Sequence, residues 1–373
     1  MAISPLAAQW THSGTDKGAS IRTLIWLTIK QHRFEALAIV SACIVLAVAA
    51  LVEAYRLGDV QVSVACLATW PGPGVPPSGS TPPDAAAIQC NQLATAFFDI
   101  RNGIDFHLTQ QLIAFAPLVA GVVLGAPFAA REIEQGTAQT SWVHGVSRRP
   151  WFGAKIFAGL ILLVPGTLAL GLSANVLEGA ATPSLDPYAS FDAYLDRGVL
   201  TAFWAVAAFT GTFALGAILG RTIPALIVGV VICAVARFAW DDAMTHVVLR
   251  PFAVAQGPRD YSASPYFAPE PDMPIRLAYY LDGQPFYGDV YQWYAEHDPG
   301  VIGGAGPSPS PGPSSSPGPT PGSSGSKGLV LVAFVIPGSW YWGVVLVESG
   351  LLLAGSAIAT GVGWVWTNRR RPY

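Results

Sequence analysis

An all-α protein that crosses a membrane six times is the fold class this 373-residue sequence predicts, on two compositional observations and one pattern. Hydrophobic residues make up 52% of the chain, and Asp, Glu, Lys and Arg together only 12%. That is about half the ~25% charged content of a soluble domain. A soluble core stops growing near ~250–300 residues, so this much apolar side chain has to face lipid. The pattern is a series of apolar runs, each near the ~20 residues a helix needs to cross a bilayer. The same figures exclude a cytosolic enzyme and a disordered chain. A net charge of −3 gives no case for nucleic acid, and four cysteines are too few for a disulfide scaffold.

The elements follow in order. Residues 17–33 read as a helix lying on the membrane, with Ile21, Leu24, Ile25, Thr28 and Ile29 on one face and Arg22, Lys30 and Arg33 among polar neighbours. It serves either as an anchor or as a holder for a partner subunit. The apolar runs 36–52, 112–130, 156–177, 199–219, 223–239 and 341–366 are the spans. Gly220-Arg221-Thr222 alone separates the fourth from the fifth. Residues 329–336 are apolar but too short to span, and are expected to lie at the interface before the sixth helix. No secretory signal is expected, because the first apolar run begins after about 35 residues and exceeds a signal-peptide core.

Lys and Arg near the helix ends set the orientation. With the N-terminus inside, the inner segments hold 12 of the 20 basic residues, and the outer segments hold 18 of the 23 acids. The sequence therefore predicts a multi-pass protein of the cell membrane with both termini cytoplasmic. The first outer loop, roughly 55–108, contains Cys66 and Cys90. On an oxidising side this favours a disulfide over two free thiols, with a value of roughly 3 kcal/mol. The large outer segment 241–328 carries Tyr261, Tyr266, Tyr279, Tyr280, Trp293 and Tyr294 among prolines and acids. A lid resting its rings at headgroup level is preferred there to an aromatic substrate platform. Residues 303–326 consist of Gly, Ala, Pro, Ser and Thr and read as a disordered linker.

No phosphate-binding Gly-x4-Gly-Lys-Ser/Thr loop, His-Glu-x-x-His, Cys-x-x-Cys or Gly-x-Ser-x-Gly occurs, and the six histidines show no ligand spacing. No catalytic residue, metal site or cofactor is expected in this chain. The ionisable groups at depth are Glu53, Arg237 and Glu348. Glu348, about seven residues into the sixth span, is a membrane-embedded candidate site or a hydrated group near the outer surface. Arg237 reads as structural.

The inner loop after the second span carries the densest signal, running from Arg131-Glu132-Ile133-Glu134-Gln135-Gly136-Thr137 through Trp142 to Ser147-Arg148-Arg149-Pro150-Trp151. The Glu pair ends the span, Gly136 permits a left-handed turn, and Thr137 is a candidate cap for a short helix over 138–143. Gly145 breaks that helix, and Ser147 is a candidate N-cap for the third span. Such a helix suits docking of a cytoplasmic partner; a tight solvated hairpin with basic residues is the plainer alternative.

On Glu132-x-Glu134-x-Gly136-Thr137, Trp142, Val146-Ser147-Arg148 and Lys155, the chain resembles permease subunits of ABC-2-type transporters, in particular the actinobacterial branch. Weaker matches are Gly220-Arg221, Pro224-Ala225, Arg250-Pro251, Trp342 and Glu348; Val345 stands where members often have Gln. The resemblance implies a coupling helix fitted to an ATPase, with Glu132, Glu134, Gly136, Thr137, Trp142, Ser147, Arg148 and Arg149 as the coupling residues. It also implies a homodimer or a heterodimer with a related permease in the lipid bilayer, and one cytoplasmic ABC ATPase subunit per permease that supplies ATP and Mg. Export of an amphipathic or hydrophobic substrate is then expected. The organisation is a cytoplasmic N-terminus (1–35), spans one to five with coupling loop 131–155 (36–240), an extracellular segment (241–328), and an interfacial segment, span six and basic tail (329–373). A membrane-anchored sensor with a ligand-binding lid and no transport is the alternative. A secondary transporter would need broken helices or internal repeats, and neither is apparent.

Overall fold

Each apolar run is one helix in the computed structural model, which describes residues 21–70, 85–143, 147–256, 272–281, 284–287 and 329–369. The surface helix is α1 (Ile21–Gln31), and the first span is α2 (Arg33–Asp59). Two helices not foreseen follow, α3 (Val64–Thr69) and α4 (Ala85–Arg101). Then come α5 (Ile104–Glu134), the short α6 (Thr137–Val143), α7 (Arg148–Ala181), α8 (Leu200–Leu219), α9 (Thr222–Ala243) and α10 (Tyr341–Arg369). Helices α2, α5, α7, α8, α9 and α10 are long and apolar enough to cross a membrane, six as expected. The break between α8 and α9 is made by Gly220, whose φ of 65° closes the helix with its N–H on the Gly216 carbonyl at 2.9 Å.

Lipid gives no hydrophobic drive between helices, so close approach of small residues takes its place. A Cβ on Gly121 of α5 would stand 2.6 Å from the Ala205 carbonyl oxygen of α8, and one on Gly216 of α8 would stand 2.7 Å from the Ala126 carbonyl oxygen. Helix α2 packs on α7, and α10 on α8. Helix α9 buries only Ala225 and Gly229, leaving Ile223, Ile227, Val231 and Phe238 to face outward. Prolines 117, 127 and 165 lie inside α5 and α7, as membrane helices tolerate.

The bundle has two unlike ends. The terminal end bears α1, α6 and the close of α10, over a core of Phe128, Trp151, Phe152, Phe209 and Phe213. The opposite, sheet end carries a four-stranded antiparallel sheet of β1 (Val254–Gln256), β2 (Met273–Leu281), β3 (Gln284–Phe286) and β4 (Leu329–Ile336), in the order β1-β4-β2-β3. The run 329–336, expected at the interface before the last helix, takes the form of a strand. The run is the central strand, paired with β1 and β2. Eight apolar residues do not reveal their period, and four β-branched residues (Val330, Val332, Val335, Ile336) favour the pleat. Met273, Ile275 and Ile336 join Tyr194, Trp204, Tyr341 and Val344 in one core, so the sheet is seated on the bundle. Tyr279, Tyr280 and Phe286 lie on strands β2 and β3. The other aromatics of 241–328 named above, and the linker 303–326, lie outside the described residues.

Next to the end of α2, Cys66 of α3 and Cys90 of α4 are joined by a disulfide. Trp70 stacks on Phe98 and donates its indole N–H to Asn91 at 2.8 Å. These helices pack with Phe97, Phe106 and Leu177 against the ends of α2, α5 and α7.

Candidate functional site

The strongest sequence signal falls at the terminal end, where α5 turns into α6. Helix α5 ends through Gln135 (φ −83°, ψ −3°), and Gly136 takes φ +71°, a conformation costly for a residue with a Cβ. The Gly136 N–H donates to the Ile133 carbonyl at 3.2 Å, which turns the chain sharply into α6. Thr137 is the first residue of α6, and its hydroxyl donates to the Glu132 carbonyl at 3.2 Å. Ser147 stands at the N-cap of α7 with extended backbone, but its side chain makes no capping hydrogen bond. Residues 144–146, including the expected breaker Gly145, lie outside the described residues.

The acidic pair does not point out together. Glu132 is buried, with Lys155 Nζ 2.8 Å from its Oε1 and the Trp151 indole N–H donating to its Oε2 at 2.9 Å. Lys155 is itself almost wholly buried, so each charge holds the other in a place neither could occupy alone. Glu134 reaches sideways to the start of α9, accepting from the Thr222 N–H at 3.0 Å and the Thr222 hydroxyl at 2.9 Å. A carboxylate there satisfies a free helix N–H and meets the positive end of the helix dipole.

The basic flank does the complementary work. Arg148 donates to the Thr367 and Asn368 carbonyls at 3.0 and 2.8 Å, at the negative end of α10. Its guanidinium also lies 4.7 Å over the Trp142 ring, and Trp142 meets Trp151 edge-on at 5.6 Å. Arg149 is exposed, 5.9 Å from the Trp364 ring centre. Arg131 pairs with Glu35 of α2 at 3.1 Å. The segment 131–149 is thus bonded to α2, α7, α9 and α10, while Gln135, Thr137 and Thr140 stay on the surface.

Beneath this junction His32, between α1 and α2, stacks on Phe128 at 4.0 Å. Its ring is buried and makes no hydrogen bond, although Nδ1 lies 3.4 Å from Glu35. Burial first, then the positive charges of Lys155 and Arg131, lower its pKa to about 3. Sequence reasoning gave His32 no role, and nothing in its spacing marked one.

The ionisable groups at depth are also partnered. Glu53 binds Arg56 through both oxygens at 2.8 and 3.1 Å. Arg237 bonds Asp196 at 2.8 Å. Glu348 has no solvent exposure; Tyr194 donates to its Oε1 at 3.1 Å, and the Trp240 indole faces the same carboxyl. Nearby, an apolar groove of about 270 Å³ is lined by Trp204 and Gly211 of α8 and Gly229 and Trp240 of α9, with Leu118 of α5 and Leu352 of α10.

A family model described as ABC-2 membrane transporter related matches residues 35–244, which is α2 through α9 and more than half of the chain. The chain belongs to this family. Neither a curated protein nor a solved structure matches it. The family supplies the membrane part of ABC transporters and generally works with a cytoplasmic ATPase, so the chain is a multi-pass membrane component of transport. The matched residues contain the whole segment 131–149, whereas the sheet and α10 lie beyond them.

Proposed function

We propose that this chain is the permease of an ATP-driven exporter in the cell membrane, with both termini and α6 on the cytoplasmic side. A separate ABC ATPase docks under α6, and two permeases, identical or related, form the path. The observation that carries this reading is the tethering of 131–149. A push on the exposed face of α6 passes through Glu134 to the start of α9, through Arg148 to the end of α10, through Arg131 to α2, and through Glu132–Lys155 to α7. Within this reading Thr137, Thr140 and Arg149 meet the ATPase, while Glu132, Glu134, Trp142 and Arg148 carry the push inward. Gly136 sets the turn. ATP and Mg belong to the partner.

The cargo proposed is amphipathic or hydrophobic. The apolar groove beside Trp204 and Trp240, one wall of which is helix α9 with its exposed apolar outer face, supports that choice. The test is ATP hydrolysis by the complex reconstituted in vesicles. A hydrophobic amphiphile added to the membrane is expected to stimulate it; indifference across lipids and apolar antibiotics would sink the cargo assignment.

A further inference from the structure

At the sheet end a cavity of about 190 Å³ opens between α5, α7 and the 3-10 turn Tyr194–Asp196. One part of its lining is apolar: Ile113, Ala114, Ala174 and Leu177. The other part is polar and comes from three separate stretches of chain: Gln110 and Gln111 of α5, Glu178 of α7, and Asp196 and Arg197 of the turn.

The charged side chains of the lining are already partnered. Asp196 is taken by Arg237 at 2.8 Å. Arg197 is buried and donates to the Pro187 carbonyl at 2.5 Å and the Ser190 carbonyl at 2.8 Å, while its Nε finds no partner. Glu178, only 4% exposed, adjoins Asp192 and feels Arg197 and Arg101. The charged groups of the lining are therefore engaged with partners of their own: Glu178 with Asp192, Asp196 with Arg237, and Arg197 with the Pro187 and Ser190 carbonyls. The polar capacity that remains is neutral. The amides of Gln110 and Gln111 make no side-chain hydrogen bond among the described residues, and each amide both donates and accepts. A hydroxyl does the same, so hydroxyl groups are the complement of this set.

A further observation marks the cavity as built. Ala193, in its wall, holds φ +47°, a left-handed conformation that residues with a Cβ adopt rarely and that gathers at ligand clamps. The cavity also lies where α5 passes from its polar start, Asp105 to Gln111, into the apolar run that begins at Leu112. That is the level of lipid headgroups in the proposed orientation.

The geometry points to a binding site for the uncharged, hydroxyl-rich headgroup of a membrane amphiphile, with Gln110 and Gln111 bonding the hydroxyls and Ile113 and Leu177 lying against its apolar stem. The inference deepens the export reading by naming the head of the cargo, and rests on that reading for the role of the site but not for binding itself.

Binding is therefore measured on the full permease alone, without any ATPase, by native mass spectrometry in a polyoxyethylene detergent. The probes are octyl glucoside, free glucose and octylammonium. One octyl glucoside per chain is expected, with glucose and octylammonium each binding more weakly. Gln110→Leu/Gln111→Leu should weaken octyl glucoside binding by about tenfold or more, from the loss of two neutral hydrogen bonds. Ala114→Phe, which fills the cavity and spares its polar groups, should abolish the adduct, and it decides the matter if the double variant does not fold. Unchanged binding in a folded variant would overturn the site. Tighter binding of octylammonium would overturn the uncharged class, and equal binding of glucose would overturn the amphiphile. None of these results bears on whether an ATPase docks at α6.

Discussion

Replacing Lys155 by Met tests whether the tether from the loop to α7 is an ion pair. Lys155 Nζ lies 2.8 Å from Glu132 Oε1, and the two side chains are only 2% and 10% exposed. With Lys155→Met the Glu132 carboxylate stays buried with only the Trp151 indole as partner, at 2.9 Å. Breaking a buried pair from one side costs about 3–5 kcal/mol, because the remaining charge is uncompensated. At roughly 2 °C per kcal/mol for a large chain, the unfolding midpoint should fall by about 6–10 °C. Adding Glu132→Gln removes the stranded charge and keeps an oxygen for Trp151, so the double variant should recover most of that loss. Intrinsic tryptophan fluorescence during heating, in one detergent at one pH, reads both variants. A double variant as unstable as the single one, or a single variant at the parent midpoint, would refute the ion-pair account.

Other expectations follow from the same contacts. Glu134→Ala should leave the ATPase bound but lower cargo-stimulated hydrolysis by about fivefold or more, since it cuts the link to α9 and not the docking face; loss of the ATPase from the purified complex would contradict this. Tyr194→Phe takes the hydroxyl donor from the fully buried Glu348, at a cost of about 1–3 kcal/mol in thermal unfolding. Cys66→Ser/Cys90→Ser should cost roughly 3 kcal/mol, seen as increased proteolysis near α3 and α4, and an unchanged cleavage pattern would count against it. His32 has a folded pKa of about 3 against about 6.5 unfolded, so the unfolded chain takes up the proton first. Its contribution is whole above pH 6.5 and falls by about 1.4 kcal/mol per pH unit as pH drops towards 3. His32→Phe should flatten the midpoint-against-pH curve in that window.

The spans were legible because length and apolarity alone decide them. Their ends were less so: α5 begins at Ile104 rather than near 112, since Asp105 and Gln110 can stay helical where the membrane meets water. Helix α4 has no membrane-length apolar run to announce it, and β4 is too short for its period to show. At the terminal end the turn at Gly136 could be read from one residue. The directions of Glu132 and Glu134 could not, because their neighbours come from afar: Thr222 is 88 residues from Glu134, and Asn368 is 220 from Arg148. A motif names such residues without saying whether they face a partner or the interior.

The central claim is that the exposed face of α6 is where a separate ATPase binds. Purification of the tagged protein in mild detergent from its native host, with mass spectrometry of the co-purifying chains, tests it most directly. The account predicts a stoichiometric ATPase with a phosphate-binding loop, lost with Thr140→Arg/Arg149→Glu although the unfolding midpoint is unchanged. Recovery of the permease without any ATPase, from a preparation in which other membrane complexes stay intact, would contradict it.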